Sequence, residues 1–98
     1  MKIYMKVHKV SNEIILAACD VELIGKKISE GELEIEIKKE FYGGELRDIE
    51  DLKNEIEEAT IVNLIGNKVV DFAIKNNFVD KKNVLKIADV KHAQIIVL

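Results

Sequence analysis

TIVNLIG, residues 60–66, decides the fold. Its β-branched side chains suggest a strand, because Thr60, Ile61 and Val62 suit a pleated surface better than a helical turn. Its surroundings argue for a helix. Upstream, Asp48 stands as an N-cap, Glu50 and Asp51 fall in the positive first turn, and Ile49, Leu52, Ile56 and Ala59 make one stripe. Helical periodicity also follows the segment, so a strand would leave almost no chain for either connection, where roughly two to six residues are usual. Ala59, Asn63, Gly66, Val70 and Ala73 keep a common helical face. The expectation is a helix through 60–66, broken near Thr60 or Gly66 and ended about Asn77 by the left-handed preference of Asn76-Asn77. Ile61, Val62, Leu64, Ile65, Val69, Val70, Phe72 and Ile74 make its second half apolar on most sides, which belongs in the middle of a fold.

The chain before this segment alternates as strands do. In Lys2 to Val10, Ile3, Met5 and Val7 point one way and Tyr4, Lys6 and His8 the other. Ser11-Asn12 is a turn signal, and Glu13 to Cys19 is apolar enough to lie deep in the sheet as the second strand of a hairpin. Asp20 to Gly25 suits a turn or a single helical turn capped by Asp20, with Leu23 and Ile24 folding back onto the core. Ser29 to Gly31 marks another turn, followed by a third strand from Glu32 to Lys38 with Leu33, Ile35 and Ile37 inward. Phe41 and Tyr42 cover the core, while Gly43-Gly44 turns the chain by positive φ or close approach. After the helical region come a turn at Val79-Asp80, a short strand from Val84 to Ala88, a connection at Lys91-His92-Ala93 and a final strand from Gln94 to Leu98. The sum is one α+β domain over residues 1–98, a mostly antiparallel β-sheet with a long or paired helical segment packed on one face.

Composition narrows the setting. Ninety-eight residues with 48% hydrophobic content support a single core. One cysteine cannot form an internal disulfide. The alternating N-terminus is unlike a signal peptide, and no run approaches the roughly 18 apolar residues of a membrane span. A cytoplasmic protein with no membrane association is expected. Abundant Lys, Glu and Ile with no proline suit a thermophile. A net charge of −3 argues against a surface that attracts nucleic acid everywhere, but it leaves room for a local basic patch. Lys26-Lys27, Lys38-Lys39 and Lys81-Lys82 each fall near an element end, where ordinary solvated charge is the competing explanation.

Residues 15–26, ILAACDVELIGK, carry the lone thiol. Cys19 and His92 are the candidate nucleophile and base, with Asp20 or Glu22 to orient the imidazole and Tyr42 or Asn63 to assist. Against this stands a buried strand-end cysteine, inert as a small hydrophobe, followed by a turn. A metal site would have to join Cys19, His92 and His8 without any paired-ligand spacing, so no metal is expected. Gly43-Gly44 and Gly66-Asn67 match neither phosphate-cradling pattern, and no cofactor is expected. Asn63 sits among apolar neighbours, so its amide needs either a structural hydrogen bond or a ligand. Tyr42 beside lysine pairs offers a stacking and phosphate surface for RNA.

AACDVELIGK, FYGG, ATIVNLIG and VKHAQ, met in this order, resemble the archaeal family of small proteins of unknown function designated DUF424. Cys19, Asp20, Glu22, Leu23, Gly25, Phe41, Tyr42, Gly43, Gly44, Asn63, Gly66, His92 and Gln94 carry the resemblance. Lys91 stands where the family pattern has proline, so a rigid loop before His92 does not follow. The resemblance implies an archaeal source and supports the fold, and it implies no activity. The expected role is a non-enzymatic accessory domain that binds RNA or a ribonucleoprotein, with Asp20, Glu22, Tyr42, Asn63, His92 and Gln94 as binding residues. A small enzyme using Cys19 and His92, and a protein adaptor or homo-oligomer, are the alternatives.

Overall fold

In a computed structural model, which describes residues 1–97, the deciding segment is a strand. Helix α2, Leu52–Glu58, stops at Ala59, strand β6 spans Ile61–Ile65, and helix α3, Asn67–Lys75, begins two residues later. The expected continuous helix is wrong because the connections are shorter than loops usually are. Gly66 alone joins β6 to α3, at φ 125° and ψ 144°, a conformation essentially restricted to glycine. Thr60 makes the other joint. Its hydroxyl accepts from Ile14 N at 2.8 Å and donates to Glu13 Oε2 at 2.7 Å, while its own N–H reaches Ile14 O. These bonds start β6 in register beside the second strand.

The remaining elements are β1 Lys2–Val10, β2 Glu13–Asp20, β3 Lys27–Glu30, β4 Leu33–Glu36, helical turn α1 Lys39–Tyr42, β5 Glu45–Asp48, β7 Leu85–Ile87 and β8 Val90–Ile96. The main sheet has the order β5-β1-β2-β6-β8-β7. Among the described strands only β2 and β6 pair in parallel, and α2 lies on the long return between them. β3 and β4 form a separate hairpin.

The period of two divides this sheet into two faces, each with its own core. Ile3, Met5, Leu16, Ala18, Val62, Leu64 and Ala93 pack against Ile49, Leu52, Ile56 and Ala59 around α2 and against Val69, Val70 and Ala73 of α3. The helical stripe read from Asp48 onward is therefore buried as expected. On the opposite face Ala17, Cys19 and Ile65 are covered by Ile37 and Tyr42, with Leu23, Ile24, Ile28, Ile35 and Phe41 around them. A central strand needed by both cores is apolar on both sides, which is why TIVNLIG lacks alternation.

Other expectations are corrected in detail. The strand proposed for Glu32 to Lys38 is the shorter β4, whose partner β3 was unrecognised, and Leu33 at the hairpin tip is exposed. Lys91, His92 and Ala93 lie inside β8; Ala88-Asp89 makes the turn, with φ 49° and 64°. Ala-Asp lacks the glycine of the favoured two-residue hairpin turns, and the Ala88 N–H is held by Glu30 Oε1 of the β3-β4 hairpin at 2.8 Å. Leu98, assigned by sequence to the last strand, lies outside the described residues. Gly43 and Gly44 do not need positive φ: a Cβ on Gly44 would press on Met5 O, so close approach is the reason.

Candidate functional site

Strand register settles which of the candidate residues meet. Tyr4, Cys19, Ile65, His92 and Leu85 are successive partners across β1, β2, β6, β8 and β7, forming one row on the face covered by the β3-β4 hairpin and α1. The next row is Lys6, Ala17, Asn63 and Gln94. Cys19 and His92 therefore share a face, but two strand spacings, about 10 Å of backbone, separate them. Ile65, fully buried, stands between the thiol and the imidazole.

The environment of each group leaves little nucleophilic character. Burial first, and then the nearby charges of Asp20 and Glu22, push the Cys19 thiol up to about 12, so it is protonated at neutral pH. Tyr42 covers this part of the face, and its hydroxyl is likewise pushed up to about 12, by burial and then by Cys19. Burial lowers the His92 pKa and keeps the ring neutral. Phe41 packs edge-on against Tyr42 at a centroid distance of 4.9 Å and stacks on His8 at 4.9 Å, and His8 Nε2 donates to Phe41 O at 2.8 Å. FYGG thus roofs this end of the sheet.

Asp20 belongs to a different place and does a structural job. The sequence suggests that it caps the turn that follows it, yet its side chain makes no bond to Val21–Leu23. It crosses to α3 and accepts from Lys68 N and Val69 N, both at 3.0 Å. Those amides are unpaired donors of the first helical turn. Burial raises the Asp20 pKa despite the two bonds, which act in the opposite direction. Any Cβ on Gly66 would collide with this carboxylate. Exposed Glu22 adds an ion pair to Lys68 Nζ at 3.6 Å. Cys-Asp and Asn-Leu-Ile-Gly are therefore parts of one strand-to-helix junction.

Asn63 is half-buried and Gln94 exposed, on adjacent strands. Among the described residues neither amide has a protein hydrogen-bond partner, so the structural bond considered for Asn63 is not made. Of the six expected binding residues, His92, Asn63 and Gln94 form a contiguous polar patch on β6 and β8, Tyr42 is buried over β1 and β2, and Asp20 and Glu22 serve α3. Among the described residues no three His, Cys, Asp or Glu side chains could hold a metal ion.

One cluster escaped the sequence reading. Lys81, Lys86 and Lys91 line a cleft of about 170 Å³ with Ile74 of α3 and Val84. Its signal lay in the two-residue Ala88-Asp89 turn, which sets Lys86 directly opposite Lys91.

The family model described as "Protein of unknown function (DUF424)" matches residues 8–98. A crystal structure of an uncharacterized conserved protein from Methanopyrus kandleri is similar in fold, with a TM-score of 0.83 and 17% identity over 100% of this chain and 93% of that one. No curated protein matches the chain significantly. With nine-tenths of its length matched, from the second half of β1 through the last strand, the chain belongs to the DUF424 family of proteins of unknown function.

Proposed function

We propose that the protein is a non-enzymatic domain that binds RNA, free or within a ribonucleoprotein, through the β7-β8 edge of its sheet. The observation that carries this reading is the segregation of charge. Residues 45–58, at the β5 edge and along α2, hold seven carboxylates against two basic side chains. Residues 81–91, which build the opposite edge, hold four lysines against Asp89, with Glu30 of the β3-β4 hairpin bonded at the Ala88 N–H, whereas Lys68 and Lys75 of α3 line a cleft with Met1 and Ile49. A net charge of −3 thus conceals a local basic edge, and a local accumulation of lysines is what phosphate binding requires. The free amides of Asn63 and Gln94 lie close to that edge, on the other face, and are suited to hydrogen bonding with exposed bases. The Cys19 and His92 enzyme reading lacks support of this kind, because Ile65 separates the pair and the thiol has no base.

The composition supports a thermophilic host, the likeness to a Methanopyrus kandleri protein supports an archaeal one, and the unpaired buried thiol supports a reducing cytoplasm. Among the described residues no helix is long and apolar enough to cross a membrane. Opposite charge on the two edge strands also favours a second reading, head-to-tail self-association. Sedimentation with ribosomes, rRNA and tRNA at low salt tests the proposal: co-sedimentation that falls steeply with added salt is expected. Absence of binding at low salt, with salt-sensitive oligomers in light scattering, would favour self-association instead.

A further inference from the structure

We infer that Lys81, Lys86 and Lys91 form a binding site for a phosphate group, an inference that rests on the RNA reading and locates one of the points at which the RNA backbone is held. Lys86 and Lys91 are register partners on β7 and β8, so their side chains leave the same face from directly opposed positions. Like charges opposed in this way destabilise a strand pair. Lys81 joins them from the single 3-10 turn Lys81–Asn83, which Asp80 fixes by accepting from Lys82 N at 3.0 Å. The concentration of positive charge is incompletely neutralised. Asp71 Oδ1 lies 2.6 Å from Lys91 Nζ, whereas Lys81 and Lys86 have no ion pair among the described residues. Ile74 and Val84 line the cleft beside the lysines and offer an entering anion no competing negative charge.

A simpler explanation would have the lysines complement the negative C-terminus of α3. The hydrogen bonds there are already made by others. Phe72 O accepts from Asn76 N and Nδ2, Ile74 O from Asn77 N, and Ala73 O from Phe78 N. None of the three ammonium groups donates to those carbonyls. The three lysines instead converge on a cleft beside the helix, with Asp71 positioning one of them.

Thermal unfolding in inorganic phosphate, at ionic strength held constant with chloride, tests the site without requiring a variant. Phosphate is expected to raise the Tm of the wild type and to leave the Tm of the Lys81→Gln, Lys86→Gln, Lys91→Gln triple variant unchanged. Fluorescence anisotropy with a short oligouridylate supplies the second arm. The triple variant should bind at least about tenfold more weakly at low salt, and its salt dependence should flatten by about 0.7 in log-log slope for each RNA phosphate that the lysines cease to neutralise. Lys86→Gln alone removes the opposed charge and guards against misfolding of the triple variant; its Tm should be equal to or slightly above that of the wild type, and it should still weaken RNA binding. Equal RNA affinity in wild type and variants would overturn the phosphate site while leaving the RNA reading intact. Phosphate stabilisation without RNA binding would keep the site and remove the RNA reading, and no response to either ligand would remove both.

Discussion

Asp20 and Gly66 make one structural unit from residues 46 positions apart, a carboxylate that caps α3 and a glycine that makes room for it. Removing the cap by Asp20→Ala strands two helix-terminal amides, one of them buried, and should cost about 2–3 kcal/mol in urea unfolding. Gly66→Ala adds the collision and the unfavourable backbone, and should cost at least about 2 kcal/mol. In the double variant the collision partner is gone, so the two losses should sum to less than their separate values; strict additivity would mean that the residues do not act together. His92 supplies a pH-dependent term. Burial places its folded pKa below the ordinary 6.5, so the unfolded chain binds more protons between the two values. Stability from this residue is present above 6.5 and is lost as pH falls through that window. Urea midpoints measured between about pH 5 and 7.5 should vary less in His92→Gln than in wild type, and identical profiles would remove the assignment. Sequence made these residues conspicuous without revealing their roles. Asp20 precedes a turn, and nothing in local spacing says that its carboxylate serves a helix that begins at Asn67.

At the level of elements, the legible parts were those whose pattern depends on one neighbour. β1 alternates because one side of it is more exposed than the other, and the buried stripe of Ile49, Leu52, Ile56 and Ala59 follows from α2 lying on one sheet face. β6 was illegible because it is buried on both faces and joined by unusually short connections, so its apolar run fits a buried helix equally well. β3, β5 and the Ala88-Asp89 turn were missed for another reason: they are short, and their stability comes from tertiary partners, such as Glu30 at Ala88 N. Amide exchange distinguishes the two classes. β6, paired on both sides and placed between two cores, should exchange through global opening, with Val62, Leu64 and Ile65 amides among the slowest. The β3-β4 hairpin, with most of its residues exposed, should open locally and exchange faster. Equal protection in both would mean that the hairpin is as much part of the cooperative core as β6.

For the whole molecule, the important quantity is where charge lies, and this is only half legible in a chain. Lysine pairs are visible in sequence, and Lys81-Lys82 does fall beside the basic cleft. Lys86 and Lys91 are isolated residues that become opposed only when the β7-β8 hairpin forms. The acidic strand and helix at the other edge make the molecule electrically polar across its sheet, so a polyanion should approach from one side. Mapping amide chemical shifts during titration with a short RNA at low salt tests this polarity most directly. Saturable shifts are expected for residues 81–92, extending to Asn63 and Gln94, with residues 45–58 undisturbed. Shifts centred on residues 45–58, or none anywhere at low salt, would contradict a basic RNA-binding edge.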